Sequence, residues 1–317
     1  MSIDPQVGEA WLRRTLQTNE ACLGLGDDLR IEWVYNPGNF GSAHYRVSGA
    51  SRDLHVKLVE DPSRMDLWYR VRDRLSRDYR APEILARLEI PEARLTAYVF
   101  PRLPGQAPAP ASAGPVIREV GELLTKLHAD YDLATELAGG ATILSSFQTG
   151  LLECLTEDLI AVRAHPEISR SFDASTMAWL AAEAEMLAEE GRRWLPDDPA
   201  RSPIHGDLWL ANLLADGSEW WVLDWPGLRL GDPAADWAML LFESWVCGAE
   251  PNDFLPPEPA LRDRAHLHLR AASFDAIVDP VADLTEMPGG VPGAEPIRAA
   301  KRNESRAALR RYRRLYS

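Results

Sequence analysis

The chain has 317 residues, of which 46% are hydrophobic and 11 are tryptophan, so it exceeds the usual size of a single core and can fill two lobes or domains. Its formal net charge is −14, from 34 Lys and Arg against 48 Asp and Glu. This balance argues against nucleic acid as a partner, because neutralising phosphates requires a basic face. It favours a cationic ligand, although a need for solubility explains it equally well.

Nothing in the composition indicates a membrane or a secretory route. No apolar run approaches the roughly 20 residues that span a bilayer, and residues 1–14 lack the basic and apolar regions of a signal peptide. The three cysteines, Cys22, Cys154 and Cys247, are odd in number and widely spaced. We therefore expect a cytoplasmic protein with reduced thiols, no membrane partner and no evident protein partner.

The first elements along the chain predict a helix followed by a small sheet. Residues 4–20 have the pattern of a helix, and runs rich in apolar, β-branched and aromatic residues predict strands at 29–35, 43–47 and 54–59. The last of these strands is followed by a long helical pattern at 62–88 that is interrupted near Ala81-Pro82.

A glycine-bearing turn at residues 36–42 joins the first two predicted strands. Its residues Gly38, Asn39, Gly41 and Ser42 are candidates to lay backbone N–H groups over phosphates. A plain hairpin turn accounts for the same residues, so this assignment depends on position alone.

Lysine is nearly absent from a chain that uses arginine almost everywhere else. The only three lysines are Lys57, Lys126 and Lys301, and Lys57 lies inside the otherwise apolar LHVKLV of the third predicted strand. An edge-strand lysine that faces water is the plain alternative. The scarcity of lysine makes Lys57 a candidate binding residue.

The next stretch predicts a second short helix and another strand. PEILARL, residues 82–88, has Pro82 suited to a first helical turn, with Glu83 beside it. A strand is predicted at 95–100, and it leads into Pro101-Arg102-Leu103-Pro104-Gly105. The Ala- and Pro-rich residues 107–115 form a compositional break that we interpret as a flexible crossing.

Beyond this break the pattern is mostly helical. Amphipathic periodicity predicts helices at 116–131, 147–164 and 174–195, and further helices at 260–278 and 297–316. His128, at the end of the first of these helices, is expected to bond nearby backbone.

The most informative stretch is residues 202–242. Asp207 is followed by Asn212 and, 17 residues after Asp207, by Asp224. Residues 213–223 between them predict two short strands joined by an Asp-Gly turn. Such a hairpin would return Asp224 to the end of the strand pair where Asn212 and Asp207 lie.

These three side chains supply the groups that phosphoryl transfer from a nucleoside triphosphate requires. A hard divalent cation prefers oxygen ligands, and the Asn212 amide and the Asp224 carboxylate provide two of them. Asp207, a carboxylate that is not a ligand, can orient a hydroxyl and accept its proton.

Three motifs in this stretch resemble the aminoglycoside phosphotransferase family of small-molecule kinases. They are H-G-D-L-x-x-x-N at 205–212, L-D-W at 223–225 and G-D-P-x-x-D-W-A at 231–238. The resemblance covers roughly residues 30–245 in order and spacing.

The resemblance implies an α+β, protein-kinase-like two-lobe fold. The small N-terminal lobe, built on an antiparallel sheet and binding nucleotide, would span residues 1–103. A larger, mostly helical C-terminal lobe, residues 104–317, would hold the catalytic loop and the acceptor site. The hinge would lie near 101–105, where the Pro101 carbonyl and the Leu103 N–H would meet the nucleobase.

The resemblance also implies a role for each motif residue. Asp207 would be the catalytic base, and Asn212 and Asp224 would hold Mg²⁺. Lys57 would hold the α- and β-phosphates and be oriented by Glu83, for which Asp66 and Asp73 are competing candidates. The residues that would support the catalytic loop are His205, Asp232, which would also cap a helix, and Asp236.

The expected activity is transfer of the γ-phosphate of ATP or GTP to a hydroxyl of a small, possibly cationic molecule, most often an aminoglycoside or related antibiotic in this family. Kinases of fructosamine, choline, homoserine or sugars share the core motifs and remain alternatives. A catalytically inactive nucleotide-binding module is another. A protein acceptor is disfavoured, because only residues 225–230 separate the second motif from the third.

Overall fold

The computed structural model describes residues 5–19, 23–25, 28–34, 42–109, 113–137, 139–248, 255–256, 258–287 and 294–316. The chain divides into two compact units. The first comprises residues 1–108 together with 211–228, and the second comprises residues 109–210 together with 229–317.

The helices and strands of both units follow one another along the chain. In order they are α1 (Pro5–Thr18), β1 (Arg30–Val34), β2 (Ser42–Ser48), β3 (Asp53–Val59), α2 (Ser63–Tyr79), β4 (Ala86–Ile90), β5 (Leu95–Pro101), α3 (Gly114–His128), α4 (Tyr131–Glu136), α5 (Ile143–Phe147), α6 (Glu153–Ala164), α7 (Ala174–Trp194), β6 (Ser202–Ile204), β7 (Leu213–Asp216), β8 (Glu219–Val222), β9 (Arg229–Gly231), α8 (Pro233–Val246), α9 (Pro259–Glu286) and α10 (Ala294–Tyr316).

The first unit is built on a five-stranded antiparallel sheet with the strand order β1-β2-β3-β5-β4. Alternate residues of β2 and β3 are buried, because successive side chains of a strand point to opposite faces. The buried set, which includes Tyr45 and Val56, packs with Leu12 and Leu16 of α1 in one hydrophobic cluster. Full burial of each large apolar side chain contributes roughly 1.5–3 kcal/mol.

The alternating residues of the same strands place His44, Lys57 and Tyr98 side by side. His44 of β2 is opposite Lys57 of β3, which is opposite Tyr98 of β5. The Tyr98 hydroxyl donates to Asp66 of α2 at 2.5 Å. This face of the sheet therefore carries polar side chains and is joined to α2.

The helix predicted over residues 82–88 is wrong. α2 ends at Tyr79, and Arg80 terminates it in the left-handed conformation, with φ of 54° and its N–H bonded to the Leu75 carbonyl. A short irregular stretch then leads into β4, which pairs with β5. A helix of two turns would leave many backbone N–H and C=O groups at its ends without hydrogen bonds. Pairing with the edge of the sheet provides those hydrogen bonds, so tertiary context overrides the local helix preference.

The predicted strands at 29–35, 43–47, 54–59 and 95–100 are confirmed as β1, β2, β3 and β5. The helix predicted at 147–164 is replaced by α5, a π-helical turn over Gln148–Leu152 and α6. The other predicted helices are confirmed with shifted ends: those at 4–20, 116–131, 174–195, 260–278 and 297–316. Residues 110–112 of the expected flexible crossing lie outside the described residues.

The hairpin β7–β8 belongs to the first unit, whereas the sequence placed it in the second lobe. Gln106 and Ala215 exchange two backbone hydrogen bonds, of 3.1 and 2.9 Å. Gly105, with φ of 97°, makes this approach possible, since a Cβ there would lie 2.3 Å from the Ala215 carbonyl oxygen. The Val222 N–H also donates to the Arg80 carbonyl.

The second unit is mostly helical. Its terminal helix α10 is tied to the rest through Tyr312, which is buried and whose hydroxyl donates to Glu183 of α7. Arg270 of α9 bonds Tyr312 and pairs with Glu183 and Glu190, at 2.7 Å for the last. Across the described residues, no helix combines the length and apolar character needed to cross a membrane.

Candidate active site

Lys57 and Asp224 form an ion pair within the first unit. The Lys57 ammonium lies 3.0 Å from Asp224 Oδ1, and their side chains are 12% and 33% exposed. Both groups are therefore reachable by a ligand while being shielded enough to attract each other strongly.

The β7–β8 hairpin brings Asn212 and Asp224 to one end, as the sequence predicted. Leu213 pairs with Val222, and the next residues continue the alignment, with the Leu223 N–H donating to the Asn212 carbonyl at 2.7 Å. Asp224 itself has φ of 58° and ψ of 58°, a conformation that non-glycine residues seldom adopt. Strained backbone of this kind concentrates at functional sites.

A cavity of 360 Å³ opens on this ion pair. Lys57, Asn212 and Asp224 line it, and so do Pro101 and Leu103 of the expected hinge. Its other lining residues are His44, His55, Trp68, Pro82, Phe100, Arg102, Ala211, Leu214 and Leu223. A cavity that combines aromatic walls with a cation and oxygen donors has the chemistry of a nucleotide site.

The donor set suits magnesium rather than a transition metal. An amide and a carboxylate oxygen on one cavity wall match a cation that keeps waters and substrate phosphate oxygens as its other ligands. Within the described ranges, no group of three or more His, Cys, Asp and Glu side chains could hold a metal. The role of Asn212 and Asp224 as Mg²⁺ ligands remains a prediction.

Two histidines in this cavity were missed by the sequence analysis. His44 Nδ1 lies 3.1 Å from His55 Nε2, and Ser42 Oγ lies 3.3 Å from His44 Nε2. Burial and the nearby charge of Lys57 lower the pKa of His44 to about 3 and that of His55 to about 4, so both rings are neutral. The sequence could have identified His55, because it lies two residues before Lys57 on one strand and therefore on the same face of the sheet.

The structure does not bring Glu83 to Lys57. Glu83 is exposed on the irregular stretch before β4, and the cavity partner of Lys57 is Asp224. Asp66, the competing candidate on α2, pairs with Arg87 at 2.5 Å and accepts from Tyr98. The other competitor, Asp73, has an 85% exposed side chain. Glu83 as the orienting partner is therefore corrected: the resemblance required a Glu on the helix after Lys57, and no helix forms at Glu83.

The described residues include only the last position of the glycine-bearing turn. Gly38, Asn39 and Gly41 lie outside the described residues. Ser42, at the start of β2, contacts the His44 ring as described above. A phosphate role for this turn remains a prediction.

In the second unit, Asp236 fixes the loop that carries Asp207. Its Oδ2 accepts the His205 N–H and its Oδ1 accepts the Gly206 N–H, both at 2.8 Å. The His128 ring lies 3.0 Å from Oδ2, so His128 bonds a carboxylate and not the backbone we expected. Burial alone would raise the pKa of Asp236, but the His128 hydrogen bond and the neighbouring donors hold it below its ordinary value.

His205 and Asp232 also contact the surrounding framework. The Asp207 N–H donates to His205 Nδ1 at 3.2 Å, so this nitrogen carries no proton and the ring supports the loop as an acceptor. Asp232 caps α8 by accepting the Ala234 N–H, which confirms the predicted Asp-Pro helix start. Asp232 is buried and pairs with Arg264 at 2.9 Å.

Asp275 is buried in the second unit near several other aspartates, one of which is Asp207. Burial, followed by the charges of Asp279, Asp158 and Asp207, raises the pKa of Asp275 well above its ordinary value. A nearby cation stabilises the ionised forms of carboxyl groups that otherwise repel each other. These neighbouring aspartates could therefore attract a protonated amino group.

Comparisons with known proteins agree with this geometry. A model of the phosphotransferase enzyme family matches residues 33–271. The search of curated proteins found no match.

Solved structures of aminoglycoside phosphotransferases have the same fold. The GDP and kanamycin complex of APH(2″)-IIia has a TM-score of 0.60 at 12% identity and covers 96% of this chain and 97% of that one. The apo form of a thermostable mutant of APH(4)-Ia has a TM-score of 0.60 at 16% identity, with 93% and 98% covered. Spectinomycin phosphotransferase APH(9)-Ia, with ADP and spectinomycin, has 0.59 at 12%, with 94% and 98% covered. The predicted α+β, kinase-like fold is confirmed.

Proposed function

The chain belongs to the phosphotransferase enzyme family, and we propose that it moves the γ-phosphate of ATP or GTP to a hydroxyl of a small molecule. The observation that carries the proposal is the cavity of the first unit, where Lys57, Asn212 and Asp224 meet. Nucleotides bound to the neighbours support both donors, since one holds GDP and another ADP.

Each residue has a distinct part in the proposed reaction. Asp207 accepts the proton of the acceptor hydroxyl as its oxygen forms a bond to the γ-phosphorus. The bond from that phosphorus to the β–γ bridging oxygen breaks, and the nucleoside diphosphate leaves. Lys57 exchanges Asp224 for phosphate oxygens, which leaves the Asp224 carboxylate for metal binding with Asn212. Bound Mg²⁺ would supply neutralisation of the phosphate charge.

Asp236 and His205 act on this step only through the loop. Because they fix the backbone N–H groups of His205, Gly206 and Asp207, they keep the Asp207 carboxylate in one orientation while the reaction proceeds. The proposed role of Asp232 is to anchor α8, which carries Asp236.

For the acceptor, we propose an amine-bearing molecule, with an aminoglycoside or related antibiotic as the first candidate. The aspartates around Asp275 support a cationic group, and the neighbours are named for complexes with kanamycin, hygromycin B and spectinomycin. A small amine-bearing metabolite, of the fructosamine, choline or homoserine type, is the second candidate. It is favoured by the small size of a second cavity, of 60 Å³, beside the loop of Asp207.

The test is diphosphate release from Mg²⁺-ATP and Mg²⁺-GTP across a panel of aminoglycosides, peptide antibiotics, macrolides, amino alcohols and sugars. We expect one class to accelerate release and Asp207→Asn to abolish that acceleration, whereas Asp216→Asn, at an exposed hairpin position, leaves it intact. Nucleotide binding without acceleration by any acceptor would favour an inactive nucleotide-binding module. Failure to bind nucleotide would refute the assignment.

A further inference from the structure

A second buried carboxylate of α8, that of Glu243, contacts the loop that carries Asp207. Glu243 is 9% exposed, and its Oε1 accepts the backbone N–H of Leu210 at 2.9 Å. A carboxylate that loses most of its water on folding needs hydrogen-bond donors of this kind. The contact with Leu210 therefore holds both the carboxylate and the backbone that follows Asp207.

Asp236 and Glu243 bind opposite ends of this loop. Asp236 accepts the first two N–H groups, as described above, and Glu243 accepts the N–H of Leu210. The two carboxylates are seven residues apart on α8, which is close to two helical turns. They therefore project from one face of the helix and are separated by roughly 10 Å along its axis. Residues 207–209 lie between two points that a single helix sets.

A ring contact supports the same end of the loop. The Trp209 ring meets the Phe242 ring edge to face, with 5.5 Å between their centroids, an arrangement that aromatic rings favour. Phe242 directly precedes Glu243, and most of the residues of α8 around them are buried. Two successive residues of a packed helix thus contact the loop after Asp207, one through a side chain and one through the backbone.

The terminal helix α10 reaches this end of α8 through Arg311. The guanidinium carbon of Arg311 lies 5.8 Å from the centroid of the Phe242 ring and 5.7 Å from that of Trp245. Burial raises the pKa of the Glu243 carboxyl, whereas the Leu210 N–H and the charge of Arg311 favour its ionised form. A positive charge from α10 therefore supports the carboxylate that bonds the loop.

We propose that Glu243 is a positioning residue for phosphotransfer, because it fixes the loop after Asp207 and so keeps the Asp207 carboxylate directed at the acceptor hydroxyl. The inference rests on the proposed function. Without Glu243, the loop backbone would be hydrogen-bonded to α8 only before Asp207. Misplacement of a reacting group by about 1 Å can cost about 100-fold in rate. Loss of the contact should therefore slow the transfer and leave nucleotide binding in the first unit unchanged.

Amide hydrogen exchange of the full chain, followed by mass spectrometry, measures the restraint directly. In Glu243→Ala the Leu210 amide should exchange about 10- to 100-fold faster, because its charged acceptor is lost. Glu243→Gln keeps an oxygen that can accept the same N–H, so its exchange should stay close to that of the wild type. Glu243→Asp keeps the charge but is shorter by one methylene, and it should resemble the Ala variant. Glu185→Ala, at an exposed position of α7, is the control.

Phosphotransfer is measured on the same proteins as diphosphate release from Mg²⁺-ATP with the compound of the panel above that accelerates it. We expect kcat to fall about 10- to 100-fold in Glu243→Ala, and the Kd for Mg²⁺-ATP to stay unchanged. Glu243→Gln should restore most of kcat. A residue that only stabilised the fold would not separate kcat from nucleotide affinity in this way.

Unchanged exchange at Leu210 in Glu243→Ala would overturn the inference. Faster exchange that extends equally to α7 and α9, an unchanged kcat, or equal losses of kcat in the Gln and Ala variants would overturn it as well. If Glu243→Ala does not fold, Glu243→Asp provides the same comparison with the charge retained. Selectively faster exchange at Leu210, in a protein that transfers phosphate to no compound, would uphold the restraint on the loop and refute the proposed function instead.

Discussion

Asp236→Asn tests whether one buried carboxylate holds the loop of Asp207. Its oxygens accept the His205 and Gly206 N–H groups at 2.8 Å and contact the His128 ring at 3.0 Å. Asparagine keeps the shape but replaces one oxygen by an NH₂ group, so at least one donor loses its acceptor and faces another donor. Breaking a buried charged contact from one side costs about 3–5 kcal/mol. We expect the free energy of unfolding of the second unit to fall by that amount.

Urea denaturation followed by circular dichroism would measure the loss, with Asp197→Asn, an exposed position of the same unit, as the control. Because the pKa of Asp236 is lowered on folding, its contribution is present above the unfolded value of about 3.9 and is lost as pH falls below it. The difference between wild type and variant should therefore stay constant near neutrality and shrink in acid. A loss below about 1 kcal/mol, or no larger than that of the control, would refute this account of the loop.

Three further predictions concern the first unit. Lys57→Met should weaken Mg²⁺-ATP binding about 10- to 100-fold in a fluorescence titration, because a charge-assisted contact to phosphate is lost. Gly105→Ala should destabilise the unit by more than about 2 kcal/mol in urea, since its backbone is left-handed and a Cβ would clash with backbone. The folded pKa values of His44 and His55 lie below their unfolded value, so wild type loses stability as pH falls from about 6.5 to about 4. Replacing both by Gln should flatten that slope by about 1.4 kcal/mol per pH unit for each histidine.

Each of these changes has a matched control in the chain. Lys126→Met, on the exposed side of α3, should leave nucleotide affinity unchanged, and equal losses at both lysines would contradict the role of Lys57. Gly140→Ala should be neutral for stability. His266→Gln, an exposed histidine, should not alter the acid slope. A double His44/His55 variant with the wild-type slope would show that these rings are not buried in the neutral form.

The parts of the site that the sequence predicted correctly are local. An Asp-Gly turn fixes the register of a short hairpin, so the return of Asp224 to the end where Asn212 lies follows from a dozen residues. Asp232 and Pro233 begin a helix because the Asp232 side chain accepts the Ala234 N–H and proline suits the first helical position. Runs rich in apolar, β-branched and aromatic residues predicted β1, β2, β3 and β5 in the same way.

The partners of the charged groups were not predictable in this way, because they depend on which distant segments meet. The family resemblance and a local helix pattern assigned Glu83 to Lys57, 26 positions away by the printed numbering, whereas Lys57 pairs with Asp224, 167 residues away. His128 was expected to bond the backbone nearby, and it bonds Asp236, 108 residues further on.

The same reasoning explains why Arg229 drew no notice in the sequence. An arginine after the second motif, in a chain rich in arginine, carries no signal by itself. Its guanidinium reaches Gly150 only because β9 pairs with β6 and a glycine in a distant π-helical turn leaves space for it. Motifs with fixed spacing identify the groups that we propose to react, because those groups lie on one loop and one hairpin. The contacts of Arg229, like those of Lys57 and His128, come from separate elements, so they follow from packing and can be argued only once the structure is known.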